Sequence, residues 1–116
     1  MRDRTAIRER FLRVSVPVRL GGLAANLRRI NSFAGHDANS AAVEGILDES
    51  KFFIEWTAQE TGVETAAELV ELQVQLACWQ RDWARIWSDR VRRSQIAERS
   101  RSWSDRVLDL SGLLKS

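Results

Sequence analysis

The strongest constraint in this sequence is one apolar row. Leu69, Leu72, Leu76, Trp79, Trp83 and Ile86 recur at intervals of 3, 4, 3, 4 and 3 residues. An α-helix turns about 100° per residue, so alternating steps of three and four hold all six side chains within one stripe. A strand would scatter them over both faces, because its side chains alternate with a period of two. A stripe of leucine and tryptophan this long needs a facing helix to cover it, knobs entering holes, and so commits the chain to helix-on-helix packing.

The flanking segments repeat the pattern. Leu20, Leu23, Leu27 and Ile30 define a helix running to about Phe33, and the Gly35–Asn39 turn ends it, with Asn39 or Ser40 placed to cap the next. That next helix carries Val43, Ile46, Phe53 and Thr57 on one side, widened by Leu47, Ile54, Phe52 and Trp56, and is expected to be deeply buried. Around Gly62, Thr61-x-x-Glu64 and Thr65-x-x-Glu68 both have the form of a capping box opening the leucine-rich helix.

Continuing the register of that helix predicts core positions at 90 and 93, and both are arginine. A new stripe of Ile96, Ser100, Trp103, Val107, Leu110 and Leu114 then runs in a different phase. These facts place a break near Ser88-Asp89, where either side chain can cap a further helix. The alternative is one continuous helix over residues 64–113, roughly 75 Å long at 1.5 Å per residue. Val63–Ser111 contains neither glycine nor proline, and the end of such a helix would have to pack on a partner chain. The pentapeptide WSDRV occurs at Trp87–Val91 and again at Trp103–Val107. A sixteen-residue offset leaves the copies roughly 160° apart on a straight helix, so a single seam cannot use both tryptophans. The repeat is read as two tryptophan anchors, each followed by helix-compatible polar residues.

Met1–Arg13 carries five arginines, and Leu12, Val14, Val16, Val18 and Leu20 alternate like a strand interrupted by Pro17. A lone strand has no pairing partner, so residues 1–17 are expected to form a basic N-terminal arm or short helix packed on the rest, open to exchange between subunits. The fold expectation is all-α: an antiparallel four-helix bundle in a single domain over residues 1–116, a size that suits one core.

Charge is distributed in blocks. Arg2–Arg29 has eight arginines against Asp3 and Glu9, Asp37–Glu71 has nine carboxylates against Lys51, and Arg81–Arg106 has eight arginines against four carboxylates. Basic and acidic segments of this kind are expected to lie side by side, within one molecule or across a dimer. No apolar run reaches the roughly 20 residues needed to span a bilayer, and the basic start lacks the apolar stretch of a secretory signal, so the chain reads as cytoplasmic with no membrane partner. The lone Cys78, between Ala77 and Trp79, is expected to be a buried small hydrophobe.

One histidine and one cysteine do not make a structural zinc site, and no Glu-x-x-His pair signals a di-iron bundle. Glu44, Asp48, Glu55, Glu60, Glu64, Glu68 and Glu71 read as a solvated face, so no cofactor or metal is expected. Neither a Gly-x-Ser-x-Gly elbow nor a phosphate-cradling glycine loop is present, and His36 is the one neutral-pH base. These absences favour a non-enzymatic reading: a homo-oligomer, with a dimer favoured, or a module binding another protein. The expected interface anchors are Trp79, Trp83, Trp87 and Trp103, residues of the type that concentrates binding energy, with Arg85, Arg90, Arg92 and Arg93 setting orientation. Nucleic acid is the less favoured alternative partner: Arg85, Arg90, Arg92, Arg93, Arg99, Arg101 and Arg106 supply charge and Trp87 and Trp103 stacking surfaces, but i,i+4 carboxylates such as Asp89 and Asp105 lace part of that charge.

Two resemblances accompany this reading. The stretches ESKFFIEWTAQE, AAELVELQVQLACWQRDW and WSDRVLDLSGLL resemble a group of short all-helical proteins of cyanobacterial type, over about residues 12–114. That resemblance implies a helical fold and assigns no activity. Arg29-x6-His36, at a helix end, is similar to the Arg-x4–6-His spacing of the HEPN helical bundles, some of which are metal-independent RNases. It implies a phosphate-holding role for Arg29 and a proton-transfer or positioning role for His36, although Ile30 stands where the pattern has a polar residue.

Overall fold

Pro17 begins a helix where the alternating valines suggested an extended arm. In a computed structural model that describes residues 4–114, α1 spans Arg4–Leu12 and α2 spans Val16–Phe33, with the proline in the first turn of α2. Proline is harmless there because its missing N–H has no helical acceptor and its fixed φ already suits the helix. The helix turns Leu20 inward and leaves Val18 exposed, while Val14 is exposed in the turn before it; of the two forms expected for residues 1–17, arm or short helix, Arg4–Leu12 takes the helical one. Met1–Asp3 of the basic arm lie outside the described residues.

The rest of the described chain is also helical: α3 (Ser40–Thr57), α4 (Val63–Arg81), α5 (Trp83–Ser88) and α6 (Arg90–Ser111), with 3-10 turns at Asp37–Asn39 and Ala58–Glu60. Six α-helices thus stand where four main ones were expected. The continuous helix over 64–113 is not formed; the chain breaks at Asp82 and again at Asp89. The second break has the anticipated cause, since the Asp89 carboxylate accepts from the backbone N–H groups of Val91 at 3.0 Å and Arg92 at 3.3 Å. Neither capping box forms. Gly62 occupies the N-cap of α4, while the Thr61 hydroxyl donates to the Ala58 carbonyl at 2.7 Å and closes the preceding turn. Asn39 likewise serves the helix behind it, donating to the Phe33 carbonyl at 3.0 Å.

Cross-helix bonds fix the directions. Asn31 donates to the Ala97 carbonyl at 2.8 Å and Ser104 to the Ala24 carbonyl at 2.7 Å, so α2 and α6 run antiparallel. Trp103 to Gln75 and Arg106 to Glu68 make α6 and α4 antiparallel as well, and Gln80 to Asp48 with Gln73 to the Lys51 carbonyl do the same for α4 and α3. Leu27, Ile30, Val43, Leu47, Leu69, Leu72, Leu76 and Val107 have essentially no exposed surface and meet in one apolar core.

α2 and α6 form the most extensively packed pair, and small residues permit it. Ala24, Ser100 and Ser104 are buried along the contact, and a Cβ on Gly21 would stand 2.8 Å from the Leu113 side chain. The two serines differ in one respect: Ser104 has its carbonyl partner, whereas the buried Ser100 hydroxyl has none among the described residues. Ser104→Ala is therefore expected to cost about 1 kcal/mol and Ser100→Ala nothing or a slight gain, since an unpaired buried hydroxyl only incurs desolvation. Urea denaturation of both variants checks this; equal losses would refute the distinction.

The charge blocks meet within one chain. Arg19 pairs with Glu60 at 2.6 Å, Arg93 with Asp37 at 2.7 Å and Arg106 with Glu68 at 2.7 Å, each joining a basic segment to the acidic centre. Arg19 also donates to the Val14 and Leu12 carbonyls, securing the α1–α2 turn. α1 lies on α3 through stacking of Phe11 on Phe53, with ring centres 4.1 Å apart, and through Arg4, which covers the Phe52 ring and pairs with Asp48. Burial alone raises the Asp48 pKa, but hydrogen bonds from Arg4 and Gln80 and the charges of Arg4 and Lys51 outweigh it and hold the carboxyl below its usual 3.8. A folded-state pKa below the unfolded one gives stabilisation that is present above about pH 4 and is lost as pH falls through the lowered value. Acidification below pH 4 is thus expected to loosen α1 first, read as a change in fluorescence from Trp56, which Phe11 contacts; an Asp48→Asn variant should show that change at neutral pH.

Candidate interaction surface

α5 is only six residues long, yet it carries two of the expected anchors into one corner. The buried Trp83 donates its indole N–H to the Ser40 hydroxyl at 3.1 Å, and Trp87 donates to the Asp37 carbonyl at 3.0 Å. Their rings lie 5.2 Å apart, and the Arg93 guanidinium sits 4.9 Å over the Trp87 ring while pairing with Asp37. Helix α5 therefore clamps the α2–α3 turn. Arg93 retains only 12% of its side-chain exposure, so its seam position is reconciled inside the chain rather than through a partner.

The other expected anchors are spread out. Trp103 is half-buried between α6 and α4, donating to Gln75 at 2.8 Å. Trp79, also half-buried, lines a groove with Ile86, Ile96, Arg92 and Arg99. Arg85, Arg90 and Arg92 are exposed, and Arg92 lies 3.8 Å from Asp89. Arg90 faces a different groove from Arg92, one shared with His36, Asn31, Asp37, Arg93 and Ser94 and enclosing about 610 Å³. The exposed arginines of α6 thus divide between its two flanks instead of forming one basic track. Of the two carboxylates expected to lace this charge, Asp105 takes a long-range partner, facing Arg28 at 3.6 Å, whereas Asp89 keeps a local one in Arg92.

Arg29 and His36 do not share a cavity. Arg29 donates to the Asn26 side chain at 3.3 Å and borders a groove with Phe33, Ala42 and Glu49, whereas His36 is an exposed turn residue at the other groove. The paired phosphate-and-proton arrangement implied by the HEPN resemblance is not assembled. Among the described residues no three His, Cys, Asp or Glu side chains group as a metal site, and no helix is long and apolar enough to cross a membrane.

The least expected surface is the outside of α4. Leu69, Leu72 and Leu76 fill the core, but Val63, Ala67, Val70, Val74 and Ala77 recur at steps of 4, 3, 4 and 3 on the opposite side, and all are exposed. Val63, Val70 and Val74 keep 87%, 48% and 57% of their surface. The helix is apolar on two faces and only one is covered. Cys78 is exposed beside this outer stripe, contrary to the buried position expected for it, because Trp79 takes the inward direction. Next to the stripe, Phe52, Lys51 and Glu55 of α3 join Val74, Ala77 and Gln73 in a groove of about 330 Å³. The sequence held the signal in this second 4-3-4-3 series, in antiphase to the leucine row. No protein-family model, curated protein or solved structure matches the chain.

Proposed function

We propose that the protein is a non-enzymatic association module: its long helices form an antiparallel four-helix scaffold, and the outer face of α4 is covered by another protein surface, a homo-oligomer being the favoured form. One observation carries this reading, the uncovered Val63–Ala77 stripe on the helix whose other face anchors the core. A continuous exposed apolar strip of this kind is unfavourable in water and characteristic of interaction surfaces. The tryptophan corner then serves as internal support rather than as the contact itself, since its indole N–H groups are already bonded within the chain.

Light scattering behind a sizing column, over a wide range of protein concentration and with absorbance at 260 and 280 nm, tests the reading. The expected result is a mass above the 13.3 kDa of one chain and no excess absorbance at 260 nm. A monomer at every concentration would overturn homo-association. Excess 260 nm absorbance would favour the nucleic-acid reading, whose affinity should then fall steeply with salt.

A further inference from the structure

We infer that the outer face of α4 packs against α4 of a second copy, antiparallel, about a two-fold axis near Leu72–Gln73. The inference rests on the association reading above and specifies its partner and register. Charge order along the helix selects this arrangement. The start of the outer face is flanked by Glu64, exposed and without an ion pair among the described residues, and the far end by Arg81, which is 73% exposed and holds the adjacent Asp82 at 3.3 Å while keeping most of its guanidinium open to solvent. A parallel copy sets Glu64 against Glu64 and Arg81 against Arg81. An antiparallel copy brings Glu64 beside the second copy's Arg81 twice, once on each side of the axis, and also opposes the helix dipoles.

The apolar residues fit the same register. Val70 lies against the second copy's Val74, and Ala67 against its Ala77 and Cys78. Valine and alanine keep the stripe low, so two helix axes can approach to about 8 Å, the near limit of helix packing. The groove bordered by Phe52, Val74 and Ala77 receives the second copy's Val70, and the two-fold axis creates this contact twice.

The native Cys78 makes the register testable. Ala67→Cys places a thiol opposite the second copy's Cys78, whereas the same two positions within one chain lie about 16 Å apart along the helix at 1.5 Å per residue. That is beyond the roughly 7 Å Cα separation a disulfide tolerates. Under oxidised glutathione, the Ala67→Cys variant is expected to give a dimer on non-reducing gels, with peptide mapping showing the introduced thiol joined to Cys78, while the parent protein cross-links much less. A charge swap provides a second measure: Arg81→Glu should weaken the dimer several-fold to ten-fold, and adding Glu64→Arg should restore it. A dimer by light scattering that forms no link between positions 67 and 78 and ignores the swap, or that links only Cys78 to Cys78, overturns the antiparallel register and leaves association standing. A monomer in every assay overturns both.

Discussion

Trp83→Ala should lower stability by about 3–5 kcal/mol, the range for deleting a large buried aromatic. The side chain is 7% exposed and makes three contacts at once: the core, the Trp87 ring and the Ser40 hydroxyl. Its loss leaves a cavity at the corner and releases Trp87 and Arg93, the groups that tie α5 to the α2–α3 turn. For a chain of this size the melting temperature should fall by on the order of 10–20 °C. Trp83→Phe keeps an aromatic ring and loses the indole N–H, so its cost should be about 1–2 kcal/mol. Thermal denaturation followed by circular dichroism separates the two variants. A Trp83→Ala protein as stable as the parent would show that the corner is not structural and would return these tryptophans to the interface.

The two faces of α4 should respond in opposite ways. Leu72 has no exposed surface, and Leu72→Ala is expected to cost about 2–5 kcal/mol, the transfer energy plus the cavity left behind. Val74, on the outer side, keeps 57% of its surface and stands outside the core. Val74→Ala should change the stability of dilute, dissociated protein by no more than about 0.5 kcal/mol. Its effect should appear at high concentration, as weaker association. Denaturation at two widely separated protein concentrations measures both quantities. If Val74→Ala were as destabilising as Leu72→Ala in dilute solution, the outer stripe would belong to the core.

Much of the fold was legible because periodicity and burial are coupled. The leucine row marked the inward face of α4, and the arginines at 90 and 93 marked the loss of register that Asp89 caps. The break at Asp82 left no such mark. It has neither glycine nor proline, and tertiary packing sets it, since Trp83 must leave the line of α4 to reach Ser40 on α3. The WSDRV copies show the same limit. In the first, Ser88-Asp89 crosses a helix break; in the second, Ser104 is buried inside α6 against the Ala24 carbonyl and Asp105 faces Arg28. One pentapeptide takes two structures because its neighbours differ.

The candidate surface was less legible, for a related reason. Tryptophan and arginine are the residues that most often anchor interfaces, and a reading by residue type selects them. Here Trp83, Trp87 and Arg93 satisfy one another and the α2–α3 turn, so their bonding capacity is spent internally. The outer valines of α4 lacked that chemical signature and were overshadowed by the leucine row on the same helix. Capping followed the same pattern: Thr61 and Asn39 were recognisable as capping residues, but each bonds to the element before it instead of the one after.

Sedimentation equilibrium of the Val70→Glu/Val74→Glu double variant beside the parent protein, with melting curves for both, tests whether the outer face of α4 carries self-association. Two carboxylates on the outer stripe should abolish measurable self-association, while helicity and the melting temperature of the monomer stay close to those of the parent. A variant that associates as strongly as the parent would contradict the assignment of α4 as the contact face.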